Sequence, residues 1–409
     1  MQVFSHLAPA GTALACLATA YAGAAAAATW RAPARHRSCA APADAGPKPV
    51  SVLKPLCGAD PNLYDNLAGL CRQRHPAFQL VFGVRAANDP AIAVVERLRA
   101  DFPACDIALV VCPLVHGSNL KVSNLINLLP RARHPWLVVA DSDIAADPDY
   151  LARVTAPLAD PAVGVVTCLY RGRPVGGLWP ALGAQFIDDW FAPSARVAHA
   201  CGSRRFSFGA TIALRREVLD AVGGFAALSD RLADDFWLGE LTRQRGLRTV
   251  LSEVEVSTDV TETHLAALWS HELRWLRTIR SINPSGFAFI FITFTWPMLA
   301  LAAWLAPQPP VLAVALAGIG ARSLLAGSLG AALRAPLRDV LLLAEWVAAL
   351  FGDQVRWRGQ MLSIRDRHAP AAPAGGGAAP GAYPLSPRPA GTDNGEHGAS
   401  SSVLSVDGK

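Results

Sequence analysis

Apolar residues in this chain fall into three regimes along its length. From Leu7 to Trp30 the sequence is mostly Ala, Leu, Gly and Thr and carries no charge. From about Pro49 to Val256, short apolar runs alternate with segments whose apolar positions recur at helical spacing. The runs predict strands at Val50–Leu53, Gln79–Val84, Ile107–Val111, Trp136–Ala140, Val163–Cys168 and Thr211–Leu214, and Ala91–Phe102 has the spacing of a helix. Such β-α alternation predicts an α/β domain with a mostly parallel, doubly wound sheet. Beyond Ala266 the apolar stretches lengthen again.

The first regime is long enough to span a bilayer core. A cleaved signal peptide competes with this reading, and the small residues Ala22 to Ala28 favour it. A signal peptide, however, carries positive charge before its apolar core, and Met1 to His6 holds no Lys or Arg. Arg31, Arg35 and Arg37 follow the segment instead, which predicts an uncleaved anchor with the chain from residue 31 onward in the cytoplasm. In the third regime, Ala266 to Arg280 mixes Leu268, Trp269, Leu273, Trp275, Leu276 and Ile279 with Arg274, Arg277 and Arg280. That pattern suits a helix lying in the headgroup plane, with its cations in water, and equally an ordinary amphipathic surface helix. Phe287 to Ala306 reads as a span, and a second lies within Pro310 to Leu333, interrupted by Arg322. Val340 to Phe351, with Glu345 inside it, is short for a span and suits a re-entrant or interfacial segment. The expected organisation is an anchor over 1–30, a linker over 31–48, and a cytoplasmic catalytic domain over 49–262. An interfacial helix over 263–285, a membrane-associated helical block over 286–365 and a disordered tail over 366–409 complete it.

Composition sharpens this picture. Of the 409 residues, 52% are hydrophobic and 17% charged, a membrane-protein balance. The net charge of +5 is modest, and no cluster of Lys and Arg with interleaved aromatics tracks a phosphate backbone, which argues against nucleic acid. The eight cysteines are scattered without a C-x-x-C and are expected to be small buried hydrophobes, kept reduced in a cytosolic domain.

Candidate chemistry begins at Asp141-Ser142-Asp143, directly after the apolar run Trp136–Ala140. A buried strand delivering two carboxylates to its carboxyl end has little structural reason to do so, because ionised carboxylates are costly to desolvate unless paired or bound to a cation. In open α/β sheets the ligand crevice lies at those strand ends. A divalent cation that also grips a diphosphate is the simplest use. Lys54 ends another predicted strand beside a tight turn at Gly58, where backbone could line a nucleotide pocket or simply close the strand. Asp89 precedes Pro90, a favoured helix start, so it reads as a helix cap as readily as a ligand. Asp234-Asp235 before Phe236-Trp237 could favour a helix N-terminus or supply a general base for a hydroxyl. Arg274-Trp275 could clamp a departing phosphate while the indole supports a sugar face.

In order, these features resemble the D, D-x-D, (E/D)D and Q-x-x-R-W series of the membrane-bound, processive-type inverting glycosyltransferases. The ceramide glucosyltransferase branch is the nearer resemblance. Val52-Leu53-Lys54-Pro55-Leu56 with Gly58-Ala59-Asp60-Pro61-Asn62-Leu63, Asn88-Asp89-Pro90-Ala91-Ile92, Lys121-Val122-Ser123-Asn124-Leu125 and Ala233-Asp234-Asp235-Phe236 carry it, over about residues 50 to 365. Within that branch, His116-Gly117-Ser118-Asn119-Leu120-Lys121, Val166-Thr167-Cys168-Leu169-Tyr170-Arg171-Gly172, the stretch Phe208 to Arg216 and His271-Glu272-Leu273-Arg274-Trp275 resemble the hopanoid-biosynthesis-associated glycosyltransferases. The resemblance implies a GT-A fold, a UDP-sugar donor (UDP-N-acetylglucosamine), Mg²⁺ or Mn²⁺, and a lipid acceptor, the hopanoid bacteriohopanetetrol. It implies the bacterial inner membrane, with several passes. It puts Asp89 at the uracil or ribose, and Lys54 and Lys121 also on the donor side. Asp141 would contact the donor, Asp143 the metal and diphosphate, Asp235 would be the general base, and Arg274 with Trp275 would hold the diphosphate and acceptor region. Two departures stand out: His271 replaces the Gln of Q-x-x-R-W, and Ala86 stands where animal ceramide enzymes carry another acid. Ceramide glucosylation from UDP-glucose and a non-catalytic, membrane-tethered nucleotide-sugar binder are the alternatives. A polysaccharide synthase would need more spans than the C-terminal block supplies.

Overall fold

The structure, a computed structural model, describes residues 2–31, 46–357 and 360–363. Most of the expected linker and all of the expected tail therefore lie outside the described residues. Eight strands form one sheet: β1 (Val50–Pro55), β2 (Phe78–Val84), β3 (Ile107–Val111), β4 (Trp136–Ala140), β5 (Ile144–Ala145), β6 (Val163–Pro174), β7 (Thr211–Arg215) and β8 (Arg248–Val260). Their order is β3-β2-β1-β4-β7-β6-β8-β5. The helices of the first half are α1 (Gln2–Arg31), α2 (Leu63–Cys71), α3 (Ala91–Asp101), α4 (Leu120–Leu128), α5 (Tyr150–Thr155), α6 (Leu178–Phe186) and α7 (Ala192–Ala200). Those of the second half are α8 (Arg216–Ala221), α9 (Asp234–Gln244), α10 (Leu265–Ile282), α11 (Pro284–Phe289), α12 (Thr295–Leu305), α13 (Pro309–Leu325) and α14 (Leu329–Ala349).

Alternate residues of a strand point to opposite faces, and both faces of this sheet are apolar because helices cover both. Val50 and Val52 of β1, Leu80 and Phe82 of β2 and Val138 of β4 pack with Leu67 and Leu70 of α2 and Val95 and Leu98 of α3. The intervening Leu53, Val81, Leu137 and Val139 pack with Val122, Leu125 and Leu128 of α4 and Leu238 of α9. Burying each such side chain contributes roughly 1.5–3 kcal/mol before chain entropy is counted.

The sheet is mixed. β1, β2, β3 and β4 are mutually parallel, β7 runs against both β4 and β6, and β6 and β8 run together. The carboxyl ends of β1, β2, β3, β4, β6 and β8 therefore open on one edge, which the amino end of β7 shares. All six predicted strands are present, and β6 continues past the predicted end at Cys168 to Pro174. β8, which has no predicted counterpart, pairs with β6 along its length, while β5 pairs Ile144 with Thr258 of β8. The cysteines differ from expectation: Cys168 is buried, but Cys16, Cys57 and Cys201 are exposed.

α1 is long and apolar enough to cross a membrane over His6–Arg31. It packs on α12 and α13 and reaches α7. A Cβ on Gly11 would lie 2.9 Å from Ala306 Cβ, so the glycine sets how closely α1 and α12 approach. The expected span Phe287 to Ala306 is not one straight helix: α11 and its following 3-10 turn meet α12 at 71°. Pro297, in the first turn of α12, has no N–H to extend a helix back toward α11, and Asn283 caps α11 by accepting from Gly286 N at 3.0 Å. The stretch Pro310 to Leu333, within which a second span was expected, holds α13 and then bends by 119° into α14. There Gly327 takes φ +68°, and Ser328 Oγ accepts from Ala331 N at 3.2 Å, which starts a new helix. The third expected segment is the second half of α14.

α14 is apolar outside and charged inside. Leu329, Leu333, Leu337, Val340 and Val347 are exposed, whereas Arg338, Asp339 and Glu345 are buried. Arg338 lies 2.7 Å from Glu272 of α10 and 2.8 Å from Glu345. Arg322 of α13 pairs at 2.9 Å with both Asp339 and Asp189. Two cations expected to reach water from α10 are turned inward on the chain instead. Arg277 donates to the carbonyls of Phe351 and Gln354, and Arg280 to those of Leu350 and Gly352. The last turn of α14 leaves carbonyls without helical partners, and guanidinium groups satisfy those close to it.

Candidate active site

The shared sheet edge collects most of the predicted residues. The chain turns immediately after β4, so Asp141 and Asp143 project there, and Thr258 Oγ1 of β8 donates to Asp143 Oδ2 at 2.7 Å. Burial raises the Asp143 carboxyl above the usual range, and the neighbouring Asp141 charge adds to this. Lys54, at the end of β1, is fully buried, and its Nζ has no hydrogen-bond partner among the described residues. Burial pushes its amine down to about 8, against the attraction of Asp143 and Asp141.

Lys121 comes from the first turn of α4. Asn119 caps that helix by accepting from Val122 N at 3.1 Å, and its Nδ2 donates to Asp234 Oδ1 at 3.2 Å, tying the start of α4 to the start of α9. Lys121 Nζ lies 2.7 Å from Asp141 Oδ1 and 3.7 Å from Asp234 Oδ2. Burial disfavours its charge, but Asp141, Asp234 and Asp235 outweigh that and hold it well above the ordinary lysine range.

Asp235 Oδ2 accepts from Gly209 N at 2.8 Å, and its Oδ1 accepts from Phe236 N at 2.7 Å. Burial pushes the Asp235 carboxyl up to about 6, with help from Asp234 and against the pull of Lys121. The pairing of Ala140 with Thr211 sets Gly209 beside the Asp141 turn. A Cβ on Gly209 would lie 3.3 Å from Asp235 Oδ2, 3.3 Å from Lys121 Nζ and 3.4 Å from Asp141 Oδ2. Three charged groups from three elements thus converge on one backbone point, where a side chain would touch all three.

Arg274 of α10 is half-buried, and its guanidinium makes no hydrogen bond or ion pair among the described residues. Burial lowers its pKa, while Asp141, Tyr170, Asp235 and Glu262 favour its charge. The next residue, Trp275, sits in an aromatic cluster, its ring 6.0 Å from Tyr170, 5.5 Å from Phe186 and 5.4 Å from Phe191. His271, at the position of the departure from Q-x-x-R-W, stacks edge-on against Trp275 at 5.5 Å and pairs with Glu262.

Asp89 stands apart from this group. Its carboxylate accepts from Ala91 N at 2.9 Å, the helix-start role, and from Gly58 N at 3.1 Å, which ties it to the turn after β1. The sequence pattern gave no role to Gly209, Thr258, Tyr170 or Glu262. For Thr258 the signal was present, because Val254, Val256, Thr258 and Val260 alternate with period two.

The arrangement joins a base-range carboxylate, two lysines and an unpaired arginine around the Asp141-Ser142-Asp143 turn. Such a site can deprotonate a hydroxyl and receive an anionic leaving group. Among the described residues no three acidic, histidine or cysteine side chains group to hold a metal. Asp141 and Asp143 fit an ion that completes its shell with oxygens from a bound diphosphate.

Comparison with known proteins relates the chain to glycosyltransferases. The chain is 25% identical to ceramide glucosyltransferase 3 of Caenorhabditis elegans over 232 residues, 56% of this chain and 50% of that protein. It is 26% identical to ceramide glucosyltransferase 1 of the same organism over 236 residues, 58% of this chain and 50% of that protein. It thus spans about half the length of these curated relatives. Among solved structures, the mannosyltransferase PcManGT from Pyrobaculum calidifontis, in complex with GDP-Man and Mn²⁺, aligns with TM-score 0.48 and 23% identity over 83% of this chain and 99% of that one. The family described as glycosyl transferase family 21 matches residues 11–369, from within α1 through the sheet, the charged edge and α14, and the chain belongs to that family.

Proposed function

We propose that the protein is a membrane-bound inverting glycosyltransferase of GT-A type. It transfers a sugar from a UDP-sugar, first UDP-N-acetylglucosamine, to a hydroxyl of a lipid, first the hopanoid bacteriohopanetetrol. The observation that carries this reading is Asp235, pushed up to about 6 and held at the Gly209 junction within reach of Lys121, Asp141 and the unpaired Arg274.

Asp235 takes the proton of the acceptor hydroxyl. The freed oxygen attacks the anomeric carbon as the bond to UDP breaks, and the configuration inverts. Arg274 and Lys121 meet the negative charge that develops on the leaving diphosphate. Lys54 lines the donor side from β1, Asp89 fixes the turn at Gly58 against the nucleoside, and Asp141 contacts the donor. Asp143 would hold Mg²⁺ or Mn²⁺, which when bound supplies further charge neutralisation at the diphosphate. Trp275 offers a flat apolar wall to the acceptor region.

The exposed apolar side of α14, with α1 and the bent helix pairs, supports a bacterial inner-membrane enzyme whose catalytic domain faces the cytoplasm. A second reading, glucose transfer to ceramide, is favoured by the curated relatives, both ceramide glucosyltransferases.

The test is transfer from radiolabelled UDP-N-acetylglucosamine and UDP-glucose to bacteriohopanetetrol and to ceramide by the purified full chain. Asp235→Asn should abolish transfer while UDP affinity stays within about twofold. Full activity in that variant overturns the assignment, and the productive donor–acceptor pair decides between the two lipids.

A further inference from the structure

A small cavity beside the reactive edge is lined by Phe186, Ile187, Val260, Leu268 and Trp275, with Glu262 and His271 as its polar wall. The apolar residues suit a lipid, but the polar pair is unusual. His271 Nδ1 bonds one oxygen of the Glu262 carboxylate, Oε1. The other oxygen, Oε2, is buried and has no hydrogen-bond partner among the described residues. Glu272 also borders the cavity, but Arg338 neutralises it at 2.7 Å. Burial works to raise the Glu262 carboxyl, but the bond to His271, its charge and the backbone N–H groups of Thr261 and Glu262 together outweigh it and hold the group below the usual range.

A buried carboxylate oxygen left unpaired costs more than most single contacts return, unless something bonds to it. The wall holds one acceptor without a partner among the described residues, Glu262 Oε2. It borders Trp275, and its charge is felt by Arg274, which also feels Asp235.

We propose that Glu262, fixed by His271, is a specificity residue that binds a second hydrogen-bond donor of the lipid head, next to the hydroxyl that reacts. The inference rests on the proposed lipid glycosyltransferase reading and deepens it. The head group it selects carries at least two donors, either a second hydroxyl or an amide N–H, over an apolar body. A lipid with a single hydroxyl would leave Oε2 unsatisfied and be rejected.

The test measures binding of radiolabelled 1-O-dodecylglycerol, N-(2-hydroxyethyl)dodecanamide and dodecan-1-ol to the full chain in phosphatidylcholine nanodiscs. The diol, the hydroxy-amide or both should bind about tenfold more tightly than the mono-alcohol, and which one does identifies the donor. In Glu262→Gln, whose amide can meet the cavity with a donor, that preference should collapse to about twofold or less. His271→Gln, which can still donate to Glu262, should keep most of it, and His271→Phe should lose it. An unchanged thermal midpoint in detergent reports that each variant has folded. No preference in the wild type, or an undiminished preference in Glu262→Gln, overturns the proposal. A preference without sugar transfer from either donor would leave this pocket standing and remove the transferase reading. Transfer without a preference would do the reverse.

Discussion

Asp235 is the residue whose chemistry depends most on its surroundings. A carboxylate in water is ionised well below neutrality and is a weak base. Buried beside Asp234, this one is raised to about 6, which brings its basicity nearer to the working pH. As the proposed base it must be ionised to accept a proton, so kcat/KM should fall as pH drops through about 6 and level off above it. Lys121→Met removes a charge that opposes the rise and should move that limb to higher pH, which a pH profile of the variant would check. Much of this constellation was legible residue by residue. Asp141, Asp143, Asp235 and Arg274 are acids and a base set against apolar runs, and such placements need a reason. Gly209 and Glu262 were not legible as site residues. Gly209 matters because Ala140 pairs with Thr211, and Glu262 because α10 carries His271 back against it; neither adjacency exists along the chain.

At the scale of elements, strands buried on both faces announced themselves as apolar runs, and β1, β2, β3, β4 and β7 lie close to where the pattern put them. β8 escaped because it is no continuous apolar run: Glu253, Glu255, Ser257 and Asp259 alternate with Val254, Val256, Thr258 and Val260, as suits a strand with one face half-exposed. The C-terminal helices differ from the strands in one respect. Hydropathy counts apolar residues without asking where the chain bends, and Pro297 and the Gly327-Ser328 pair stand at bends inside the apolar stretches. The charges within those runs, Arg322 and Glu345, are not interruptions. They belong to buried ion pairs that join α13 and α14 to each other and to α10. Breaking a buried pair leaves a charge without compensation, at a cost of about 3–5 kcal/mol. Arg338→Met, which abandons both Glu272 and Glu345, should therefore lower the thermal midpoint in detergent sharply. Combining it with Glu272→Gln and Glu345→Gln should restore most of the loss. If the single variant melts at the wild-type temperature, the pairs do not hold α14 in place.

For the whole molecule, α1 is joined to the rest of the chain by more than its covalent link. Thr19 Oγ1 bonds the Val314 carbonyl at 3.0 Å, and the Tyr21 hydroxyl bonds Ser194 at 2.7 Å. The first helix therefore touches α13 of the helical block and α7, whose residues lie between β6 and β7 of the sheet. A swinging tether would make neither contact. In the proposed membrane-bound enzyme, these contacts and the outward leucines of α14 would fix the height of the charged edge relative to the lipid.

That fixed height has a kinetic consequence. An enzyme whose mouth cannot leave the interface meets its acceptor by lateral diffusion, in two dimensions, and responds to crowding on the surface rather than to amount in the tube. Diluting the acceptor with inert phosphatidylcholine in proteoliposomes, at constant bulk concentration, should slow transfer in proportion to its mole fraction. Adding more vesicles of unchanged composition should leave the rate per enzyme alone. A rate that tracks bulk concentration instead would mean that the outward leucines of α14 do not face lipid.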